Sequence, residues 1–216
     1  PLRVALQSEG SDLGARAEQD RDAAHRWNLL NTIRKEGPKL PSLKIIDNEQ
    51  GLALAFGNSK PSRPAMKGLS DVTGRLTWMQ KQGIDKQVNG GWPDWFGSDL
   101  PAAEGETWCR MFNDALLSAA KAEPKFVPLA TLPLQDGARA ASVLKDAMAS
   151  GFRGAMISTL PRGIGSVLDS PDLDPFWKAA DDTGAVIQVP VYLNPEEYVK
   201  VDTRTSRAFA PIASDT

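Results

Sequence analysis

The sequence predicts an α/β fold in which helices cover a parallel β-sheet, and three observations lead to this class. From about residue 70, segments with apolar residues at helical spacing alternate with short apolar runs. These runs are apolar at nearly every position, which is typical of strands buried on both faces. Single amphipathic helices separate them, as in parallel sheets. An open sheet and a barrel both satisfy this pattern, whereas the lack of GxGxxG after the first strand disfavours a dinucleotide-binding sheet.

The first helices and strands of the pattern lie between residues 71 and 134. The segment 71–83 has Val72, Leu76 and Met79 on one face and ends at Gly83, where a helix-terminating glycine is expected. Residues 86–96, KQVNGGWPDWF, predict a short strand followed by a Gly/Pro loop. The segment 125–134, KFVPLATLPL, predicts a buried strand with Thr131 as its polar exception. The clearest helix is 103–122, whose apolar stripe contains Trp108, Met111, Phe112, Leu116 and Ala119.

The pattern continues to about residue 191. Residues 136–151 predict a helix ending at Gly151, and 154–163, GAMISTLPRG, predict a strand with a glycine-rich exit. Residues 173–184 predict a short helix ending at Gly184, and 185–191, AVIQVPV, predict the fourth strand. We therefore expect four parallel strands.

The two ends of the chain lack this pattern, although we expect a single domain over residues 1–216. Residues 1–35 predict a helical or loosely ordered arm whose only strand-like run is LRVAL. Residues 43–56 predict a hairpin with an Asp-Asn turn, and 196–216 predict a polar tail without strands. An alternative explanation for the unpatterned ends is that they are translated in a shifted reading frame or are cut from a longer gene.

Composition and charge exclude several function classes. The 216 residues are 41% hydrophobic with a net charge of −2, so neither nucleic acid nor an anionic membrane is an expected partner. No membrane-spanning run or signal-peptide core is present, and the single cysteine, Cys109, excludes an internal disulfide. We expect a cytoplasmic protein in which Cys109 packs as a small apolar residue.

Four stretches between residues 63 and 190 resemble the amidohydrolase-related family, in its aminocarboxymuconate-semialdehyde decarboxylase-like branch. They are RLTWMQKQGIDKQV, CRMFNDALLSAAKAEPKFVPLATLPLQD, GFRGAMIST and LDSPDLDPFWKAADDTG, in the family's order and spacing. The resemblance implies a TIM-barrel-like (β/α) architecture with its active site at the C-terminal ends of the strands, here incomplete and comprising about strands 2 to 5.

The resemblance also implies one divalent metal, usually zinc, bound by histidines and a late aspartate. A catalytic zinc needs at least three protein ligands, whereas this chain has one histidine, His25, which is its candidate metal ligand. The position of the family's fifth-strand histidine holds Val189 when counted from Gly184, or Asn194 when VYLNP is matched locally. Three acidic residues around the second strand's loop are alternative candidates for metal ligands: Asp94, Asp99 and Glu104. The other interpretation is that these carboxylates are exposed to solvent.

Three residues are candidates for substrate binding. Arg63, in SRPA, resembles the arginine with which the decarboxylase branch grips a substrate carboxylate, and a surface ion pair is the alternative. Trp92 and Trp95 follow a strand, where they line a pocket, form a lid or pack in the core. Asn113 and Asp114 match the family on a helix, where we expect them to order the packing.

Two functions of different classes follow from these observations. The first is a metal-dependent hydrolase or carboxy-lyase (decarboxylase) acting on a small carboxylated compound, as the resemblance implies. With its metal-ligand histidines missing, we expect no normal turnover from this chain. The second is a truncated or degenerate, inactive partial barrel that acts by binding or self-association. Because an open sheet leaves unpaired edges, we expect a homo-oligomer.

Overall fold

The computed structural model describes residues 4–5, 29–65, 71–162, 166–189, 200–202 and 207–209, with side chains placed in the three longest ranges. The helices are α1 (Leu29–Glu36), α2 (Val72–Gln82), α3 (Ala102–Ala122), α4 (Gly137–Ser150) and α5 (Asp174–Thr183). The strands are β1 (Val4–Ala5), β2 (Leu43–Asn48), β3 (Gly51–Phe56), β4 (Lys86–Asn89), β5 (Phe126–Pro128), β6 (Gly154–Met156), β7 (Val186–Gln188), β8 (Lys200–Asp202) and β9 (Arg207–Phe209).

Five strands run parallel and lie side by side in chain order. One sheet has the order β1-β4-β5, and a second pairs β6 with β7. A parallel bridge between Ala130 and Ala155 connects the two sheets, because Ala130 N donates to Gly154 O and Met156 N donates to Ala130 O. Neighbouring parallel strands joined by helices are the connectivity of a (β/α) barrel, although the strands described do not close one.

The sequence-based count of four parallel strands is therefore one too low. Val4–Ala5 pairs in parallel with Lys86 and Gln87, so the LRVAL run contributes a strand rather than part of a loose arm. Two residues are too few to show hydrophobic periodicity, which is why the pattern could not assign them. The predicted strand at 125–134 is regular only over Phe126–Pro128, although the residues after it stay buried.

Helix α2 begins and ends where its sequence predicts. The Asp71 carboxylate accepts a hydrogen bond from Gly74 N at 2.8 Å and caps the first turn. Gly83 ends the helix with φ 63°, a left-handed conformation that glycine adopts at little cost. Of the three apolar residues predicted on one face, only Met79 is fully buried.

Helices α3, α4 and α5 cover one side of the parallel strands and enclose the main core. Trp108, Phe112 and Leu116 of α3 are buried, as the predicted stripe requires, while Met111 is only partly buried. Asp136 caps α4 by accepting from Ala138 N and Arg139 N. Of these helices, α3 packs against β5, α4 packs against β6, and α5 packs against α4.

Gly154 allows β6 and β7 to lie close together. Its φ is 152°, and a Cβ atom there would collide with the Val186 carbonyl oxygen. The backbone of β6 therefore approaches β7 more closely than any residue with a side chain permits.

The predicted hairpin is present as β2 and β3, but its turn is displaced from Asp47-Asn48. Register pairs Asn48 with Gly51, so the two turn residues are Glu49 and Gln50. The Asn48 side chain accepts from Gln50 N at 2.9 Å, and Gly51 adopts φ 120°. Asn48 therefore stabilises the turn from its flank rather than from its centre.

The tail also differs from its prediction, because β8 and β9 form an antiparallel pair within residues 200–209. Register pairs Lys200 with Phe209 and Asp202 with Arg207. Backbone hydrogen bonds form such a hairpin without an apolar run, so the hydrophobic pattern gave no signal for it.

Candidate functional site

The loop that follows β4 contains most of the predicted substrate-binding residues. It leaves the strand through Gly90 and Gly91 and forms a short 3₁₀ turn at Pro93–Trp95 before α3 begins. Because β4 is one of the parallel strands, this loop lies at their C-terminal edge, where the (β/α) architecture places active sites.

Arg63 reaches this loop from the segment after β3. Its Nε donates to Asp94 Oδ2 at 3.0 Å and its Nη2 donates to Asp94 Oδ1 at 3.3 Å, so the guanidinium binds the carboxylate in a bidentate manner. The guanidinium carbon lies 5.4 Å from the Trp92 ring centroid, within the range of a cation–π contact. The Arg63 side chain is 56% exposed, whereas that of Asp94 is 21% exposed.

The Ser62 hydroxyl holds Arg63 in this position. It accepts hydrogen bonds from Leu54 N at 3.0 Å and from Trp95 Nε1 at 3.1 Å, and it donates to Arg63 O at 2.9 Å. The backbone of the same segment is paired to β3, because Ser62 N donates to Leu54 O. One hydroxyl thus connects β3, the arginine segment and the β4 loop.

The two tryptophans of the loop have different environments. Trp95 is 2% exposed, and its carbonyl oxygen accepts from Trp108 Nε1 at 2.8 Å, so it packs in the core rather than lining an open pocket. Trp92 is partly buried, lies 5.3 Å from the Trp95 ring centroid and supports the guanidinium of Arg63. Of the predicted substrate-binding residues, Arg63 and Trp92 are brought together at the surface, and Trp95 supports them from below.

Asn113 fixes the exit of β5 from the helix side. Its Oδ1 accepts from Thr131 N at 2.8 Å and its Nδ2 donates to Thr131 O at 3.0 Å. Both groups are buried, so the amide supplies the pairing that a neighbouring strand gives elsewhere. The packing role expected for Asn113 agrees with these contacts.

Gln135 ties the end of the β4 loop to the region after β5. Its Nε2 donates to Gly97 O at 2.6 Å and to Leu100 O at 3.1 Å. Gly105 makes room for this amide, since a Cβ there would approach Gln135 Nε2 to 2.6 Å. Together with the bond from Trp108 Nε1 to Trp95 O, these bonds hold the part of the loop that leads into α3.

The described side chains do not assemble a set that fits a divalent metal. No group of three or more His, Cys, Asp or Glu side chains converges within the side-chain-bearing ranges. Asp94 binds Arg63, Glu104 accepts from Ser42 N and Ser42 Oγ at 2.8 Å each, and Asp99 is exposed. His25 and Asn194 lie outside the described residues, and Val189 is partly buried against the core.

Cys109 is fully buried on α3. Burial, with a smaller contribution from nearby Glu106, raises the pKa of its thiol far above the ordinary range. The thiolate required of a nucleophile or a metal ligand is therefore disfavoured, and Cys109 packs as an apolar residue.

Within the same described ranges, no helix combines the length and apolar character needed to cross a membrane.

A sequence profile described as amidohydrolase matches residues 95–214, more than half of the 216-residue chain. The chain belongs to the amidohydrolase family. This match confirms the resemblance drawn from the sequence, and the family's β/α barrel accounts for the chain-order arrangement of the parallel strands. A comparison with curated proteins gives no match.

Solved structures of this amidohydrolase family share the fold. A Staphylococcus aureus protein described as an amidohydrolase aligns with 27% identity and a TM-score of 0.52 over 64% of this chain and 47% of its own. The 5-carboxyvanillate decarboxylase LigW from Sphingomonas paucimobilis aligns with 29% identity and a TM-score of 0.53 over 60% and 39% of the two chains. A 2,6-dihydroxybenzoate decarboxylase from Rhizobium shares the fold at 22% identity, with a TM-score of 0.51 over 61% and 42%.

The chain spans less than half the length of each of these solved relatives. The amidohydrolase fold is thus established for the aligned part, and the partial coverage agrees with a resemblance found over only part of the sequence.

Sequence reasoning missed two residues that organise the site. Ser62 stands beside Arg63 in SRPA, where the resemblance concerns the arginine, while Gln135 lies in the LPLQD stretch that supports the resemblance. A serine or glutamine in a loop gives no periodic signal, so only the resemblance could have drawn attention to Gln135.

Proposed function

We propose that this amidohydrolase-family chain provides the substrate-binding part of a metal-dependent hydrolase or decarboxylase that acts on a small carboxylated compound. The observation that carries the proposal is the Arg63 guanidinium, whose two donors already bind a carboxylate in a bidentate manner above the Trp92 ring. Its place beside the loop after β4 supports a role at the active-site edge.

Arg63 and Trp92 would share the work of recognition. The guanidinium would bind and orient the substrate carboxylate, because its planar fork matches the two oxygens in a way that lysine does not. The exposed edge of Trp92 would contact an apolar or aromatic part of the substrate next to that carboxylate. LigW acts on 5-carboxyvanillate, so we include aromatic carboxylates among the candidate substrates.

We assign no chemical step to a metal ion, because the described side chains form no group of metal ligands. His25 remains the candidate ligand from the sequence. The role proposed for Arg63 depends on the charge and the planar geometry of its guanidinium, so it does not depend on which metal ion the family's active site binds.

Any residual turnover of aromatic carboxylates by the purified chain tests the proposal, since the missing histidines predict that the rate is not normal. CO₂ release from 5-carboxyvanillate is measured with added Mn²⁺ or Zn²⁺ and again with a chelator. Metal-dependent turnover that Arg63→Gln lowers at least tenfold would support it. Arg162→Gln serves as the matched control, because Arg162 also forms an exposed ion pair, with Asp172 at 2.8 Å. Turnover that is equal in the Arg63 variant and the native chain would contradict the assignment of Arg63.

A second candidate function is binding or self-association without chemistry. The observation that favours it is Val186 in β7, which is 60% exposed although it belongs to a parallel strand that barrels normally bury. Light scattering after size-exclusion chromatography tests it, since association through this face predicts a homo-oligomer that Val186→Lys converts to monomer. A native chain that elutes as a monomer at all concentrations would contradict it.

A further inference from the structure

We propose that Asp94 acts as an internal competitor for the Arg63 guanidinium and sets the threshold that a carboxylate ligand must overcome to bind there. The inference rests on the proposed function, in which Arg63 receives the substrate carboxylate. It assigns to Asp94 the role of a specificity-determining residue, because a ligand must displace this side chain in order to occupy the same two donors.

The geometry of the pair is that of a bound ligand carboxylate. Asp94 presents one oxygen to Nε and the other to Nη2, at 3.0 Å and 3.3 Å, which uses the same edge of the guanidinium that a substrate would use. Asp94 comes from a different loop, 31 residues further along the chain. The contact is therefore tertiary and can open without changing the local backbone of Arg63.

The pair is weak enough to be displaced. With the Arg63 side chain 56% exposed, water and salt screen the attraction, and exposed ion pairs of this kind have small net free energies. A carboxylate from solution replaces one charge-assisted contact by an equivalent one. Affinity for a simple monocarboxylate is thus reduced by the internal competition, whereas a ligand with additional contacts overcomes it.

The surrounding contacts keep the site in place when Asp94 leaves. Trp92 remains beneath the guanidinium at 5.4 Å, and Ser62 Oγ holds the Arg63 carbonyl oxygen. On the other side, burial of Trp95 and the hydrogen bond from Trp108 Nε1 anchor the turn that carries Asp94. Rotation of the Asp94 side chain, rather than movement of the loop, would uncover the Nε and Nη2 donors that this carboxylate occupies.

The test is the affinity of 4-fluorobenzoate, followed by the ¹⁹F line width of the ligand, for the full chain and its variants. We expect Asp94→Asn to bind this probe about twofold to fivefold more tightly than the native chain, as the small free energy of an exposed ion pair implies. Asp99→Asn is the matched control, because it removes an equal charge from an exposed residue of the same loop. Its effect should be smaller than that of Asp94→Asn.

The outcomes separate the two proposals. If the native chain binds the probe and Asp94→Asn binds no more tightly, or no more tightly than Asp99→Asn, the competitor role is wrong while the arginine site stands. If neither the native chain nor Asp94→Asn binds, or if Arg63→Gln in the Asp94→Asn background binds unchanged, Arg63 does not receive carboxylates and both proposals fail. Asp94→Ser provides a second variant without the carboxylate should the asparagine variant fold poorly, and the same tightening is expected of it.

Discussion

Replacing Asn113 by alanine should remove the hydrogen bonds that hold the backbone just after β5, and should thereby lower the stability of the whole domain. Asn113 is 6% exposed, and its amide makes two hydrogen bonds with the backbone of Thr131, a residue that is 1% exposed. Alanine can satisfy neither group, so the variant leaves one buried N–H and one buried C=O without these bonds.

The magnitude follows from those two groups. Leaving a buried donor or acceptor unsatisfied costs about 1–3 kcal/mol. The higher helix propensity of alanine returns about 0.5 kcal/mol on α3. We therefore expect the free energy of unfolding to fall by about 1.5–5.5 kcal/mol, a decrease of about 3–20 °C in melting temperature for a domain of this size.

Urea unfolding monitored by circular dichroism measures this difference. Asp114→Ala is the matched control, since Asp114 is the next residue of the same helix, is exposed and gains a similar helix propensity. We expect this control to stay within about 0.5 kcal/mol of the native chain. A loss below about 1 kcal/mol in Asn113→Ala would refute the view that the amide supports the strand exit.

Two further predictions concern an ion-pair network and the hydroxyl beside Arg63. Glu106 bridges α3 and α4 by binding Arg139 at 2.5 Å and Arg110 at 3.0 Å, and these hydrogen bonds, that from Arg139 first, lower the pKa of its carboxyl. The ionised Glu106 carboxylate therefore stabilises the fold fully above the ordinary pKa of 4.5, and this stabilisation is lost as pH falls through the lower pKa of the folded state. Glu106→Gln should thus destabilise the domain by about 0.5–1.5 kcal/mol at pH 7 and should have no such effect near pH 2. Ser62→Ala should lower the free energy of unfolding by about 1–3 kcal/mol and weaken 4-fluorobenzoate binding, because three hydrogen bonds meet at its hydroxyl.

Controls for these two variants come from the same chain. Glu49→Gln removes a carboxylate from the exposed hairpin turn, and a pH profile equal to that of Glu106→Gln would show that the network adds nothing specific. Ser59→Ala removes a hydroxyl that accepts one bond, from Phe56 N at 3.0 Å. Equal losses for Ser59→Ala and Ser62→Ala would contradict the connecting role of Ser62.

The sequence predicted helices far better than strand boundaries, for physical reasons. Helix ends are marked by local chemistry, and Gly83 and Gly184 each end a helix at the predicted place. Strand ends depend on a partner elsewhere in the chain, so LRVAL did not show by itself that β1 pairs with β4, and the short extent of β5 left no local trace.

The candidate site shows the same division between local and distant signals. Resemblance pointed to Arg63, and position after a strand pointed to Trp92, but neither indicated that Asp94 binds the arginine. That contact joins two loops 31 residues apart, and no spacing rule connects residues across such a distance. The Arg63–Asp94 pair forms only because the fold places the segment after β3 beside the loop after β4, so it could be identified only from the structure.

The arginine site is supported by side chains that lead into the core. Arg63 rests on Ser62 and Trp92, and through Trp95 these contacts reach Trp108 on α3. None of these side chains is a ligand type that a catalytic metal requires. The carboxylate recognition proposed for Arg63 therefore needs no metal ligand among its supporting side chains, so the carboxylate-binding experiments can be interpreted with or without added metal.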